Sequence, residues 1–167
     1  MEAEKLVITK DSREPKDKYN FYGKQYKDVF HISGHPLVNN LDVGDYSVSP
    51  YEDTGLMIER KTMADFVSSF ATGKKDKAIK RRDEFRAMWE RARKVKCKYL
   101  MVEGVITDIL SQNFRSEFNP NSLMGSLMSW SIRYGFSFFF VRDENEGQSC
   151  VYWLCREFLR LKNKGEI

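Results

Sequence analysis

Residues 41–61 read LDVGDYSVSPYEDTGLMIERK. The first half of this stretch alternates apolar and polar residues, and its second half begins with an apolar run, so that both halves are typical of strands. The residues between them are typical of a turn. We therefore predict a β-hairpin centred near Glu52, which places Asp45 opposite Glu59.

This hairpin brings together two carboxylates and one ammonium group. Strand alternation puts Glu59 and Lys61 on the same face of the sheet and sends Arg60 to the other. Two close carboxylates repel each other unless a cation or a proton lies between them. Mg²⁺ meets that need because it binds one or two carboxylates and keeps water and phosphate oxygens as its other ligands. The hairpin therefore predicts a metal site formed by Asp45 and Glu59, where Lys61 positions a water and stabilises charge on a phosphate. The alternative is a surface hairpin with an ordinary Glu–Lys pair.

The rest of the chain predicts an α/β fold. Apolar runs indicate further strands, and 3.6-residue periodicity indicates helices, with Thr62 as one N-cap and Asn121 or Ser122 as another. The predicted strands cover 6–11, 28–33, 99–104 and 136–141, and the predicted helices cover 62–73, 75–96, 119–135 and 149–163. A meander followed by helices that alternate with strands implies a mixed central sheet flanked by α-helices.

Composition narrows the class of protein. A length of 167 residues with 41% hydrophobic residues suits one domain with a sizeable core. The sequence has no apolar run of membrane-spanning length and no signal-peptide pattern, and its three cysteines are an odd number. We therefore expect an intracellular protein, in the cytoplasm, nucleoid or nucleus, without a membrane partner.

The positive charge is concentrated in one segment. Residues 74–98 hold 12 Lys or Arg and 4 Asp or Glu, whereas the whole chain has a net charge of only +4. Such a block attracts a polyanion by counterion release, although a solvated helix face is the alternative. The residues expected to contact phosphates of such a polyanion are Lys74, Lys75, Lys77, Lys80, Arg81 and Arg82. Arg86, Arg91, Arg93 and Lys94 are expected to be solvated.

The motifs together resemble those of XPF-type structure-specific endonucleases, a branch of the PD-(D/E)XK nuclease superfamily. Gly44-Asp45, Glu59-Arg60-Lys61 and Asp65 match the GD…ERKxxxD signature, and Asp11-Ser12-Arg13-Glu14 matches an upstream Asp-x-Arg-Glu. Each motif alone is weak, but their order and separations are specific. The resemblance covers about residues 6–160 and implies a restriction-endonuclease-like three-layer fold.

The resemblance also implies a role for each matching residue. Asp45, Glu59 and the main-chain carbonyl of Arg60 would bind Mg²⁺ or Mn²⁺, and Lys61 would assist the attacking water. Asp11 and Glu14 would lie at the edge of the site and bind the metal directly or through water, while Arg13 would hold the carboxylates or reach a DNA phosphate. Asp65 would brace the lysine; the alternative for Asp65 is a capping interaction with Thr62.

We therefore expect residues 1–167 to form a single nuclease domain, without the helix-hairpin-helix and helicase domains that family members usually carry. Ala78 stands near a position where the family has glutamine. The predicted activity is metal-dependent cleavage of phosphodiester bonds in DNA that is branched or has single-stranded segments, in repair or recombination. The alternatives are a non-catalytic DNA-binding or scaffold protein and a nuclease that acts on ordinary duplex ends. The resemblance also implies a homodimer or heterodimer.

Overall fold

The computed structural model describes residues 5–31, 36–70, 76–111 and 118–167. These residues form strands and helices that alternate after the first four strands. In chain order they are β1 (Ile8–Asp11), β2 (Leu37–Asn39), β3 (Tyr46–Val48), β4 (Leu56–Thr62), α1 (Met63–Phe70), α2 (Asp76–Arg91), β5 (Cys97–Glu103), α3 (Ile106–Leu110), α4 (Pro120–Tyr134), β6 (Ser137–Val141) and α5 (Glu144–Asn163). The fold is α/β, as predicted.

The six described strands form one mixed sheet in the order β2-β1-β3-β4-β5-β6. β1, β3 and β4 pair antiparallel in succession, while β4, β5 and β6 pair parallel, and β2 adds to β1 as a parallel edge strand. The parallel pairs β4–β5 and β5–β6 require crossover connections, which the helices between those strands supply. The predicted mixed sheet is therefore confirmed.

Helices cover both faces of the sheet. One hydrophobic cluster joins Met57 and Leu100 to α1, α2 and α4, and a second joins Ile58 and Met101 to α5. Because Met57 and Ile58 are neighbours in β4, alternation continues along the strand and sends Glu59 towards the α1–α2 side and Arg60 towards the α5 side. The layer that covers each face of the sheet thus determines which residues each side chain of β4 contacts.

One predicted strand is wrong, and two short elements were not predicted. The strand predicted over 28–33 is wrong in its described part, because Val29 forms only an isolated bridge with Leu6 and is buried within a loop. The edge strand is β2 instead, whose largely exposed side chains give no apolar pattern. The short helix α3 was not predicted.

Two helix starts also differ from the prediction because of their caps. α4 is capped by Asn119, whose side chain accepts hydrogen bonds from the backbone of Asn121 and Ser122. α5 begins at Glu144 rather than residue 149, because Asp143 accepts a hydrogen bond from the Glu146 backbone. The cap of α1 at Thr62 is confirmed, since its hydroxyl accepts a hydrogen bond from the Asp65 backbone. No helix among the described residues is long and apolar enough to cross a bilayer.

Candidate active site

Asp45 lies between two strands that hold its backbone from both sides. Its N–H donates to the carbonyl of Ile58 at 2.9 Å, and its carbonyl accepts from the N–H of Asp11 at 2.8 Å. The adjacent pair of strand residues is Tyr46 opposite Ile58, which is the register that the sequence predicts for the hairpin. Asp45 lies just before β3, beside the segment of β4 that contains Ile58, Glu59 and Arg60.

Gly44 makes this approach possible. Its φ of +77° is in the left-handed region, and a Cβ atom there would lie 2.7 Å from Cγ of Met57 and 3.2 Å from the carbonyl oxygen of Ile58. A side chain would therefore both strain the backbone and push the chain away from β4. The Gly-Asp pair of the sequence thus has a steric reason: the glycine brings the aspartate against β4.

A cavity of about 430 Å³ opens in front of these residues. Its wall contains Asp45, Glu59 and Lys61, the three groups that the hairpin was predicted to bring together, so that they face one space. The remaining lining residues come from the loop after β1, from the turn before β3, and from α1 and α2, and include Arg13, Asp42, Gly44, Asp65, Ser69, Arg81, Glu84, Phe85, Met88 and Arg91. The helices α1 and α2 therefore form the second wall.

Lys61 is held at a fixed place in that cavity. Its Nζ lies 3.3 Å from a carboxylate oxygen of Glu59 and 4.5 Å from the centre of the Phe85 ring. The lysine side chain is 17% exposed. An ammonium group above an aromatic face is attracted to the ring, and the attraction increases as water is excluded. The carboxylate and the ring thus fix the direction of the lysine.

The two carboxyl groups of the site are difficult to ionise together. Burial raises the pKa of Asp45 well above its usual value, and the negative charges of Glu59 and Glu14 raise it further. Burial likewise raises the pKa of Glu59, while Lys61 offsets part of that effect. A cation placed between the two carboxyl groups would favour their ionised forms and so lower both pKa values.

The donor set fits a hard divalent ion. Asp45 and Glu59 supply two carboxylates, and the described residues contain no cluster of three or more His, Cys, Asp or Glu side chains able to hold a metal. The N–H of Arg60 donates to the Asp45 carboxylate at 2.8 Å. Because the N–H and C=O of one strand residue point to the same side, the Arg60 carbonyl also faces Asp45. Two carboxylates, one carbonyl and several waters suit Mg²⁺ or Mn²⁺.

Asp11 is bonded within the protein rather than open to the cavity. Its carboxylate accepts hydrogen bonds from the side chain and backbone of Arg13 and from the backbone of Leu41. Burial alone would raise the pKa of Asp11, but these hydrogen bonds outweigh it and hold the pKa below its usual value. Asp11 thus has a structural role. It holds Arg13, which lines the cavity, and it holds the turn after Leu41 that leads to Asp45.

Glu14 lies with the Arg60 side chain on the α5 side of the sheet. Nε and Nη2 of Arg60 donate to the two oxygens of Glu14 at 2.9 and 3.3 Å, and Nη1 donates to Glu103 at 2.8 Å. The Tyr19 hydroxyl also donates to Glu103. The expectation that Glu14 binds the metal therefore finds no support in its position, since both of its oxygens are occupied and it does not line the cavity.

Asp65 lines the cavity but bonds to its own helix cap. Its carboxylate accepts a hydrogen bond from the Thr62 hydroxyl at 2.9 Å, while its backbone N–H donates to the same oxygen. This reciprocal pair is the capping interaction that was the alternative for Asp65. The predicted contact between Asp65 and Lys61 is not formed, as the ammonium group of the lysine pairs with Glu59.

The basic residues of α2 divide into two groups. Arg81 lines the cavity, whereas Lys77, Lys80 and Arg82 do not, and Lys74 and Lys75 lie outside the described residues. Arg91 is exposed, as expected, but it also lines the cavity, which was not predicted. Helical spacing could have predicted that Arg91 lines the cavity, because residues 81, 84, 85, 88 and 91 fall on one side of a helix.

Comparison with known proteins identifies the family. Residues 11–154 match the ERCC4 domain, which is more than half of the chain. The chain belongs to the ERCC4 domain family. No curated protein sequence matches the chain.

Two solved structures of XPF from Aeropyrum pernix are similar to this ERCC4 domain. The first has a TM-score of 0.61 at 19% identity and covers 89% of this chain and 59% of that chain. The second, a complex with DNA, has a TM-score of 0.59 at 18% identity and covers 95% of this chain and 65% of that chain. The present chain spans less than two thirds of either. The likeness supports the restriction-endonuclease-like fold and agrees with the XPF-type resemblance.

Proposed function

We propose that this ERCC4 domain is a divalent-metal-dependent endonuclease that cleaves phosphodiester bonds in branched DNA, such as flaps, forks or junctions, during repair or recombination. The observation that carries the proposal is the convergence of Asp45, Glu59 and Lys61 in one cavity. DNA as the substrate class is supported by the family and by the DNA complex of the similar Aeropyrum pernix XPF.

Mg²⁺ is the proposed metal, with Mn²⁺ as the alternative, and Asp45, Glu59 and the Arg60 carbonyl would hold it. When bound, such an ion lowers the pKa of a water molecule and polarises the scissile phosphate. Lys61 holds the attacking water by a hydrogen bond from Nζ and stabilises the negative charge that grows on the phosphate oxygens. The water gives up a proton to solvent as its oxygen bonds to phosphorus, the bond from phosphorus to the bridging oxygen breaks, and the leaving oxygen takes up a proton from solvent.

The surrounding residues keep this arrangement in place. Glu59 and the Phe85 ring hold the lysine, and Gly44 keeps Asp45 against β4. Arg13 and Arg81 are proposed to contact phosphates from the cavity wall, with Lys77, Arg82, Lys74 and Lys75 adding positive charge nearby. A homodimer or heterodimer stays a prediction.

The catalytic proposal is tested with Asp45→Asn and Glu59→Gln on labelled flap, fork and junction DNAs with Mg²⁺. We expect cleavage to fall by about a hundredfold or more, because each change removes a charged oxygen from the reacting centre, while DNA binding is retained. Asp42→Asn is the matched control, since this exposed carboxylate lines the same cavity but pairs with Lys94. Undiminished cleavage by Asp45→Asn would refute the catalytic role.

The same assay separates the alternatives for the substrate. Faster turnover on flaps, forks or junctions than on linear duplex supports a structure-specific enzyme. Equal turnover on linear duplex indicates a nuclease that acts on ordinary ends. DNA binding by the purified chain with no cleavage of any substrate, with either Mg²⁺ or Mn²⁺, indicates a non-catalytic binding protein.

A further inference from the structure

Two arginines of α2 lie at opposite ends of the cavity wall. Arg81 is near the start of the helix and Arg91 is its last residue, and both line the cavity that contains Asp45 and Glu59. We propose that Arg81 and Arg91 bind two phosphates of one DNA strand, on opposite sides of the phosphate that is cleaved. This inference rests on the proposed function, because it takes the reacting phosphate to lie beside Lys61.

Lys61 of β4 contacts α2 at Phe85, and this contact locates the reacting centre between the two arginines. Its ammonium group lies 4.5 Å from the centre of the Phe85 ring. Arg81 comes four residues before Phe85 and Arg91 six residues after it. At a helical rise of 1.5 Å per residue, these steps correspond to about 6 Å and about 9 Å along the helix axis.

These distances fit phosphates a few nucleotides apart. A strand in a duplex advances about 3.4 Å per nucleotide. The guanidinium groups therefore lie within reach of phosphates roughly two nucleotides from the reacting one on the Arg81 side and roughly three on the Arg91 side. A strand that runs along α2 would thus be held on both sides of the bond that breaks.

Arg81 and Arg91 are unpaired, whereas three other basic residues on or just after α2 have carboxylate partners. Lys80 of α2 lies 3.8 Å from Glu84. Just beyond the helix, Arg93 lies 2.6 Å from Glu90, and Lys94 lies 2.8 Å from Asp42. Arg81 and Arg91 are exposed, and neither forms an ion pair with any carboxylate in the part of the chain that the structure describes. Each can therefore take a phosphate without first releasing a partner.

The two carboxylates that α1 and α2 contribute to this wall each have a partner within the protein. Glu84 has Lys80 as its neighbour, and Asp65 accepts a hydrogen bond from Thr62. Between the two arginines the cavity-facing side of α2 is mainly apolar, with Phe85 and Met88. A guanidinium group at either end of an apolar strip gives two separate sites for bidentate phosphate binding.

The test measures DNA binding by the full chain that carries Glu59→Gln, a change expected to prevent cleavage. Affinity for a labelled flap DNA is measured over a series of salt concentrations after adding Arg81→Gln, Arg91→Gln or both. We expect each change to weaken binding by about tenfold at low salt. The slope of log affinity against log salt should fall by about one for each change and by about two for both.

Arg86→Gln is the matched control, because Arg86 is an exposed arginine of the same helix that does not line the cavity. It should leave the slope close to that of the parent, and Arg91→Lys should restore most of the slope lost in Arg91→Gln. Equal losses in Arg86→Gln and Arg91→Gln, or an unchanged slope in Arg91→Gln, would overturn the proposal. Because no cleavage is measured, this result is independent of the test of the endonuclease activity.

Discussion

At the scale of single residues, Gly44 adopts a left-handed backbone conformation that a residue with a side chain adopts only with strain. We predict that Gly44→Ala lowers the free energy of unfolding by about 1–3 kcal/mol, because the left-handed backbone is unfavourable for alanine and its Cβ would overlap Met57. Chemical denaturation in urea measures the change. Cleavage should fall as well, since Asp45 moves with its neighbour.

Gly125 provides the control for that measurement. It lies within α4, and a Cβ atom added there would meet nothing within 4 Å. Gly125→Ala should therefore raise the free energy of unfolding by about 0.5–1 kcal/mol, since alanine favours a helix. If Gly44→Ala were as stable as the unchanged protein, the steric account of the Gly-Asp motif would be wrong.

Asp11 and Asp45 are the same residue type in different environments, and residue type alone does not determine their roles. Each is an aspartate in or beside a strand, and the sequence places both near the predicted site. Asp11 accepts hydrogen bonds from Arg13 and Leu41, which lower its pKa, whereas Asp45 is buried near other carboxylates, which raises its pKa. Arg13 is close to Asp11 in sequence, but the Leu41 backbone donor and the carboxylates near Asp45 come from distant parts of the chain, so spacing alone could not assign the two roles.

At the scale of elements, the hairpin could be predicted in detail because its pairing is local. A turn between two strands sets the register, and alternation then fixes the faces of Glu59, Arg60 and Lys61. The contacts of the Arg60 side chain could not be predicted, because they require Glu14 and Glu103 to meet across the sheet. The position of Arg91 likewise depends on how α2 is turned towards β4.

The contact between α2 and β4 leads to a prediction for Phe85. Phe85→Leu should lower the cleavage rate by about threefold to thirtyfold with little change in KM, because Lys61 loses the ring that orients its ammonium group. Steady-state kinetics measure the split between kcat and KM. The ε-methylene protons of Lys61 should also lose an upfield ring-current shift in the NMR spectrum.

Phe70→Leu is the control for this prediction, since Phe70 is buried in the same aromatic cluster and contacts Phe85. It should destabilise the fold to a similar extent without the loss of rate. Phe85→Tyr keeps the aromatic face and should keep most of the activity. Equal rates for Phe85→Leu and Phe70→Leu would show that the ring only fills the core.

At the scale of the whole molecule, the sheet separates two groups of charges. The α5 side holds Arg60 between Glu14 and Glu103, where each charge has a partner. The α1–α2 side holds Asp45 and Glu59, whose negative charges are only partly offset by Lys61. The metal-free fold therefore keeps a local excess of negative charge at its proposed site, which costs stability that a bound cation restores.

The raised pKa values set the direction of a pH dependence. Between the ordinary carboxyl pKa and the raised value, the folded metal-free protein binds more protons than the unfolded chain. The free energy of unfolding must then decrease as pH rises through that window. Asp11 has the opposite sign, because its lowered pKa contributes stability that is lost only as the pH falls. A comparison with a variant that changes only Asp45 separates the two contributions.

We predict that Asp45→Asn is more stable than the unchanged protein at neutral pH without metal, by on the order of 1–3 kcal/mol. The asparagine oxygen can still accept the hydrogen bond from the Arg60 backbone, while the repulsion with Glu59 is removed. The difference should shrink as the pH falls and Asp45 takes up a proton.

Mg²⁺ should stabilise the unchanged protein, increasingly at higher pH because its ligands must be deprotonated, and should stabilise Asp45→Asn little. Urea unfolding at several pH values with and without Mg²⁺ measures both effects, and an Asp45→Asn variant less stable than the unchanged protein at neutral pH would contradict the electrostatic account of the site.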